Sequence, residues 1–322
     1  MKTTLRYGAT VLGAFALTIS TALAQGFPSK SVRFIVPFVP GGGTDTFARL
    51  VGAKLSEIWG QQVIIDNRPG AQGNIGTMLG AKAAGDGYTL TLAFVGTLSI
   101  NPHLYRAAGF DALKDFSAVT RGTIEPWVFT INASSPAKDV SELIALAKRN
   151  PGKLTFSSGS SGSQLAGELF KLAAGVDMVH VPYKGTAPAV ADVVAGNVQM
   201  ASSVPTSVLG FLKTGRLRAI LVTGSKRSEM VPGVPSAVEA GFEQLNVLSW
   251  YGIVMPSFVP RDLLRRVNAD SVRALSSPDV QELLRGAGLS PAPSTPEQFQ
   301  DEIRNDYAVW GKVIKAINLK PE

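Results

Sequence analysis

Residues 32–59 contain three kinds of segment in succession: Val32-Arg33-Phe34-Ile35-Val36, then Pro37-Phe38-Val39-Pro40-Gly41-Gly42-Gly43, then Thr44-Asp45-Thr46-Phe47 onward to Trp59. The first is a short apolar run rich in β-branched residues, which predicts a strand over Val32–Val36. The second is a proline- and glycine-rich loop. The third carries Phe47, Leu50, Val51, Leu55 and Ile58 on one face at a 3.6-residue period, which predicts a helix over Thr44–Trp59. A strand, a glycine loop and a helix form the opening unit of an open α/β sheet.

Working outward, the same grammar repeats. Strands are predicted at Gln62–Asp66 and Tyr88–Phe94, with a helix over Ile75–Ala84 between them. This is βαβ order, expected of a mostly parallel sheet with helices on both faces. The pattern restarts in mid-chain. Val140, Leu143, Ile144 and Ala147 mark a helix ending at Asn150-Pro151-Gly152. Strands at Leu154–Phe156, Met178–Val181, Val198–Ala201 and Leu217–Thr223 alternate with helices closed by Gly175 and Gly196. The last stretch is helical: Pro260–Leu275, Pro278–Arg285 and Pro296–Ile317. Two extended stretches read as crossings between domains, Glu125-Pro126-Trp127 through Ile131 and Val247 to Met255. The expected fold class is α/β, with two mixed α/β domains joined by extended crossings. Domain 1 is expected to span 25–129 and 241–322, and domain 2 to span 130–240.

At the start of the chain, Lys2 and Arg6 precede an apolar run from Ala9 to Ile19 and the small-x-small triplet Ala22-Leu23-Ala24. This is the pattern of a secretory signal peptide over 1–24. The run is shorter than the ~20 apolar residues that span a bilayer, and no lipobox cysteine follows it. The expected destination is the periplasm.

Composition narrows the chemistry. The 322 residues include no Cys and only two His, His103 and His180. That excludes disulfides, thiolate metal sites and cysteine nucleophiles, and leaves no multi-histidine metal centre. No metal and no cofactor is expected. The net charge is +7, with the positive residues scattered rather than blocked, so nucleic acid is not an expected partner. There is no G-x-S-x-G elbow, no H-E-x-x-H and no paired-carboxylate motif. The chain is expected not to be an enzyme. A secreted hydrolase using a serine of 157–163 stands as the alternative from that class.

Three loops join a strand to a helix. In Phe38-Val39-Pro40-Gly41-Gly42-Gly43-Thr44-Asp45, the glycines admit close approach of a ligand to the backbone. The free N–H groups of the helix start favour an anion. The same residues fit a plain tight turn capped by Thr44 or Asp45. In the loop from Asn67 to Gly76, Arg68 suits either a ligand carboxylate or a role pinning the loop. The third loop, Ser157-Ser158-Gly159-Ser160-Ser161-Gly162-Ser163-Gln164, mirrors the first in the other half. That position favours binding over a flexible turn, because α/β sheets bind ligands at the carboxyl ends of their strands. Thr97, the pair Tyr183-Lys184 and the pair Ser202-Ser203 also follow or end strands. Lys184 is read as a cleft cation or a surface charge. His180, in an apolar strand, reads as structural, and His103 as a surface or turn residue.

Together these blocks resemble the Bug family, the periplasmic solute-binding receptors of tripartite tricarboxylate transporters. The resemblance rests on Arg33–Phe38 leading into Pro40–Asp45, on Asn67–Ala71 with Gly73–Gly76, and on Gly85–Leu90. It continues through Leu165–Phe170, Val181–Gly185, Gly215–Ala219 and Trp250-Tyr251-Gly252. It implies a two-lobed periplasmic-binding-protein type II fold and capture of a small carboxylic acid in an interdomain cleft. The loops and the resemblance together give the expected ligand-binding set Phe38, Pro40, Gly41, Gly42, Gly43, Thr44, Asp45, Thr97, Ser157, Ser158, Gly159, Ser163, Gln164, Tyr183, Lys184, Ser202 and Ser203. Its partner would be a membrane permease of one large and one small subunit, or a sensor protein, and the receptor would act as a monomer. A receptor for a neutral or aromatic metabolite used in sensing is the alternative within binding proteins. Two departures stand out. Gln164 occupies a position where relatives carry His, in a shorter serine loop. Ser202-Ser203 replaces Phe-Asp, removing an acid suited to a ligand ammonium. α-Amino acids are therefore expected to bind more weakly than plain carboxylates.

Overall fold

A computed structural model describes residues 26–105, 108–317 and 319. The expected signal peptide, 1–24, lies outside the described residues. No described helix is long and apolar enough to cross a membrane.

The chain first builds β1 (Val32–Val36), α1 (Gly43–Trp59), β2 (Val63–Asn67), α2 (Asn74–Ala81), β3 (Thr89–Phe94), the short α3 (Asn101–Leu104) and β4 (Phe116–Glu125). It then crosses to β5 (Val128–Asn132), α4 (Val140–Arg149), β6 (Leu154–Ser158), α5 (Ser161–Ala174), β7 (Met178–Pro182) and α6 (Thr186–Val194). β8 (Met200–Ser203), α7 (Pro205–Lys213) and β9 (Leu217–Val222) complete that half. The chain returns through β10 (Ser249–Pro256) to α8 (Arg261–Ser276), α9 (Pro278–Gly286) and α10 (Pro296–Ala316).

Two five-stranded sheets result, in the orders β2-β1-β3-β10-β4 and β7-β6-β8-β5-β9. Each has a parallel trio at one side, β1 with β2 and β3, and β6 with β7 and β8. Each is completed by antiparallel strands, β10 between β3 and β4, and β5 between β8 and β9. The parallel trios put all their connections through helices, so their carboxyl ends point to one edge. The fold is a two-lobed mixed α/β architecture, as the sequence led us to expect.

The chain passes from the first sheet to the second at Pro126-Trp127 and returns ahead of Ser249. Glu125–Ile131 is not one extended stretch. Pro126 and Trp127 separate two strands that belong to different sheets, because Pro126 cannot continue the ladder. The expected crossing Val247–Met255 contains β10, which lies wholly in the first sheet between two partners. Departure from the second sheet comes earlier, after Val222. Residues 223–248 stay on the second lobe, where Val222 bridges Ser236 and Gly224 N–H donates to Leu245 O at 2.9 Å.

A continuous apolar cluster runs through both lobes. Trp127 at the crossing is fully buried and meets Trp310 of α10 edge-on, ring centroids 5.9 Å apart. The C-terminal helices thus close over the first sheet. Asn268 of α8 donates to Val119 O of β4 at 2.7 Å.

Candidate functional site

The loops after β1, β6, β7 and β8 converge in the cleft between the lobes. They enclose a small chamber of about 50 Å3. The first lobe lines it with Phe38, Val39, Pro40, Gly42, Gly43, Thr44, Phe94 and Tyr251. The second lobe contributes Gly159, Ser160, Ser163, Gly185, Thr186, Ala187, Ser203 and Val204, with Trp127 at the crossing. No charged side chain is among them.

Instead, helix starts supply the polarity. α1, α5 and α6 begin at this chamber with Gly43, Ser161 and Thr186, and α7 begins just behind Val204. The N-caps of α1 and α6 are Gly42 and Gly185, neither with a side-chain cap. The N–H groups of Gly43, Thr44, Thr186 and Ala187 have no acceptor among the described residues. Unsatisfied N–H groups and the positive ends of several helix dipoles therefore face one small volume. Hydroxyls add to them. The Ser203 Oγ and Thr206 Oγ1 atoms are buried without partners. A methyl group on Gly43 would lie 2.8 Å from Tyr251 Oη and 3.2 Å from Thr206 Oγ1, so these two oxygens flank the α1 start from opposite lobes.

The glycines permit this close approach. A side chain on Gly159 would overlap the Gly185 carbonyl carbon at 2.2 Å and Thr186 N at 2.3 Å. The backbones of the two second-lobe loops thus touch directly.

Of the residues expected at the site, Phe38, Pro40, Gly42, Gly43, Thr44, Gly159, Ser163 and Ser203 line this chamber. Gly41, Asp45, Thr97, Ser157, Ser158, Gln164, Tyr183, Lys184 and Ser202 do not. Asp45 points back into its own loop. Its carboxylate accepts from Gly41 N–H at 3.0 Å, Arg49 Nε at 2.9 Å and Asn67 Nδ2 at 3.0 Å. Burial pushes that carboxyl up, and these donors outweigh it and hold it below its ordinary value. Thr97 donates to Phe94 O, and Ser157 to Ala189 O at 2.9 Å. Ser158 Oγ is 2.7 Å from His180 Nε2, behind the strand end. Burial, helped by Lys171, drops His180 to about 4, so its ring is neutral. Tyr183 is spent on Asp192, a bond that together with burial raises its hydroxyl to about 12. Gln164 sits one turn into α5, and Ser202 alternates to the opposite face of β8 from Ser203. Arg68 pins its loop, but through Asp66 at 2.8 Å rather than through carbonyls. His103 is not a surface turn. It sits half-buried in α3, with Nε2 2.8 Å from Tyr307 O.

The expected site set leaves out Phe94, Trp127, Thr186, Ala187 and Tyr251, which also line the chamber. From the sequence Trp127 reads as a crossing residue, and Tyr251 as part of the second crossing and of the Trp250-Tyr251-Gly252 block. The signal for Thr186 was present: Gly185 follows a strand and precedes a helix, as Gly42 does.

A family model described as the tripartite tricarboxylate transporter family receptor, TctC, matches residues 47–319. The chain belongs to the TctC family. This TctC protein is similar to BugT of Bordetella pertussis, with 33% identity over 316 residues covering 96% of this chain and 97% of the relative. Among solved structures it resembles the adipate-bound Rpa4515 protein of R. palustris, with TM-score 0.88, 33% identity and coverage of 92% and 100% of the two chains. It also resembles malate-bound MatC of Rhodopseudomonas palustris, with TM-score 0.83, 30% identity and coverage of 89% and 100%. TctC proteins of this type are periplasmic solute-binding receptors, and these two structural relatives hold carboxylates.

Proposed function

We propose that this TctC protein captures a small organic acid in the interlobe cleft and presents it to a tripartite tricarboxylate-type permease of one large and one small subunit. The carrying observation is the chamber: free N–H groups at the starts of α1 and α6, two unpartnered hydroxyls, and no charged side chain. Such a set neutralises a carboxylate without a counter-ion. The adipate and malate held by structural relatives support the same reading. Lobe closure places groups of both halves on one ligand, and the permease reads the closed form. The expected export to the periplasm as a monomer fits this role. Cleavage after Ala24 and lobes of 25–129 with 241–322 and of 130–240 complete the proposal.

Titration calorimetry on the ligand-stripped mature protein tests it. Carboxylic acids are expected to bind one to one, and the corresponding primary amides at least tenfold more weakly. Aspartate is expected to bind more weakly than succinate, because no carboxylate side chain lines the chamber to receive its ammonium group. Amides that bind as tightly as their acids would remove the anion reading and leave a receptor for neutral metabolites.

A further inference from the structure

A separate cavity lies at the joint between the lobes, with a volume of about 520 Å3. It shares no lining residue with the cleft chamber. Both passages of the chain between the sheets line it, through Glu125 where β4 ends and Leu248 just ahead of β10. Residues 224–230, which follow β9, form its second-lobe wall. Arg285 of α9 and Ser290 stand on the first-lobe side, and Ser290 O accepts from the Ile124 N–H of β4 at 3.0 Å.

The opening is positively charged. Exposed Lys226, Arg227 and Arg285 line it, against Glu229. Arg227 is already paired, its Nε 2.9 Å from Glu239 Oε2. Arg285 donates to the neutral side chain of Gln281 at 3.2 Å. Lys226 has no hydrogen-bond or ion-pair partner among the described residues.

The inner end is different. Glu125 is 1% exposed, and neither of its carboxyl oxygens has a hydrogen-bond partner. A buried carboxyl without a partner is costly in either protonation state. Burial holds this one as the acid, which carries an O–H donor. Three cations line the same cavity, and none has taken Glu125 as a counter-ion.

The cavity thus offers positive charge at its opening and one proton at its inner end. An oxyanion answers both. Its charge meets the cations, and one of its oxygens accepts the Glu125 proton. A cationic ligand would be repelled by Lys226 and Arg285, and an apolar one would leave the carboxyl unpartnered. The volume falls within the roughly 300–1,000 Å3 of small-molecule sites, so it holds more than a bare ion.

We infer that the joint holds a second ligand site, for a small oxyanion or a molecule bearing one, with Lys226 and Arg285 on the anion and Glu125 as the buried donor. Lys226 stands on the second lobe, and Arg285 and Glu125 on the first. The site is therefore complete only at one relative placement of the lobes. Its occupancy is linked to that of the cleft, each ligand altering the other's affinity by the same factor. The linkage rests on the cleft reading above, whereas the site itself does not.

Calorimetry with inorganic phosphate tests it, on the ligand-stripped protein and again with the cleft saturated by a carboxylic acid. Phosphate is expected to bind one to one in both states, with affinities that differ by about threefold or more. The double variant Lys226→Ala/Arg285→Ala is expected to weaken phosphate about tenfold and to leave carboxylate affinity in phosphate-free buffer unchanged. Both side chains are exposed and neither is paired with an acid, so the variant folds, and an unaltered melting midpoint checks this. Glu125→Gln keeps a donor at the inner end and is expected to hold phosphate within about threefold of the wild type, whereas Glu125→Met is expected to lose about tenfold. Glycerol 3-phosphate in place of phosphate distinguishes the sources: tighter binding assigns the site to a phosphoryl-bearing molecule, weaker binding to the free ion, and either supports the site. The site is overturned if phosphate does not bind, if the carboxylic acid displaces it completely, which would put it in the cleft, or if the double variant binds it like the wild type. Equal phosphate affinities in the two states would overturn the linkage. Failure of every carboxylic acid to bind would overturn the cleft reading instead, and phosphate binding to the stripped protein would still test the site.

Discussion

Gly43 shows how one side chain's absence can carry function. It is the first residue of α1 and is buried, and its open flank lies between Tyr251 Oη and Thr206 Oγ1. Its φ does not demand glycine, since it is not among the positive-φ glycines. What favours glycine is the close approach of Tyr251 Oη and Thr206 Oγ1, which an added methyl would meet at 2.8 and 3.2 Å. In Gly43→Ala the added methyl would occupy part of a chamber of only about 50 Å3. Helix propensity favours Ala by about 1 kcal/mol, and crowding against Tyr251 costs a similar amount. Stability is therefore expected to stay within about 1 kcal/mol of the wild type, while carboxylate affinity falls at least tenfold. Chemical denaturation and calorimetry read the two quantities separately. Retained affinity would place the anion elsewhere. The same scale explains why Asp45 and Ser157 were misread from sequence. Both residue types suit a ligand, and both stand beside the cleft in the chain. Their partners, Arg49, Asn67 and the Ala189 carbonyl, are brought to them only by folding.

At the scale of elements, helix starts divide by what satisfies them. α4 and α10 carry side-chain caps, Asp139 to Glu142 N–H and the Thr295–Gln298 capping box. α1 and α6 start at glycines and face the chamber uncapped. A helix end without a cap needs a ligand or water in its place. Thr295→Ala therefore makes a useful contrast with Gly43→Ala. It removes one partner of a reciprocal cap on a helix that packs against the first sheet, outside the chamber's lining. The expected cost is about 1 kcal/mol in denaturant unfolding, with ligand affinity unchanged. A cost below a few tenths, or a loss of affinity, would mean that α10 has another role. Elements were the most legible level in the sequence. The β1 strand falls on Val32–Val36 as the apolar run predicts, and α1 begins one residue before its predicted start. β4 went unpredicted beyond its last residue, because Phe116–Glu125 mixes Ser, Thr and Arg with its apolar positions. Those polar residues have tertiary reasons: Thr120 Oγ1 donates to Ser294 O at 2.9 Å, and Arg121 pairs with Glu302 of α10. Similarly, α7 was missed because Pro205 at its first turn follows a strand closely enough to read as a turn. The site was half legible. Glycine loops announced the cradle, whereas Tyr251 reaches it through strand pairing with Phe94 and Thr123, more than 100 residues away in the chain, and Trp127 through its bonds to Thr223.

At the scale of the whole molecule, the lobes are joined where β4 ends and β10 begins, and there Glu125 stands opposite Ser249. Glu125 is 1% exposed, and neither carboxylate oxygen has a hydrogen-bond partner. The Thr123 and Ser249 hydroxyls beside it are also buried and unpartnered. Burial raises this carboxyl from 4.5 to about 8. At neutral pH the joint between the lobes thus holds a neutral acid. The consequence for stability has a definite sign. Between about 4.5 and 8 the unfolded chain has released this proton and the folded chain retains it, so stability falls as pH rises, by up to ~1.4 kcal/mol per pH unit. Two other groups titrate at the acid end. His180, lowered to about 4 by burial and Lys171, contributes stability that is lost as pH falls from 6.5 toward 4. Asp306, raised to about 6 by burial and Glu302 against its bond from Trp250 Nε1, adds a decline with rising pH that is complete by about 6. Above pH 6.5 Glu125 therefore dominates. Denaturant unfolding of the wild type is expected to show stability falling from pH 6.5 to 8. Glu125→Gln, which keeps the shape and cannot ionise, is expected to be flat over that range and more stable than the wild type at pH 8. A variant that keeps the wild-type slope would show that Glu125 is ionised in the folded protein, and that the polar pocket at the joint is filled by something able to hold its charge.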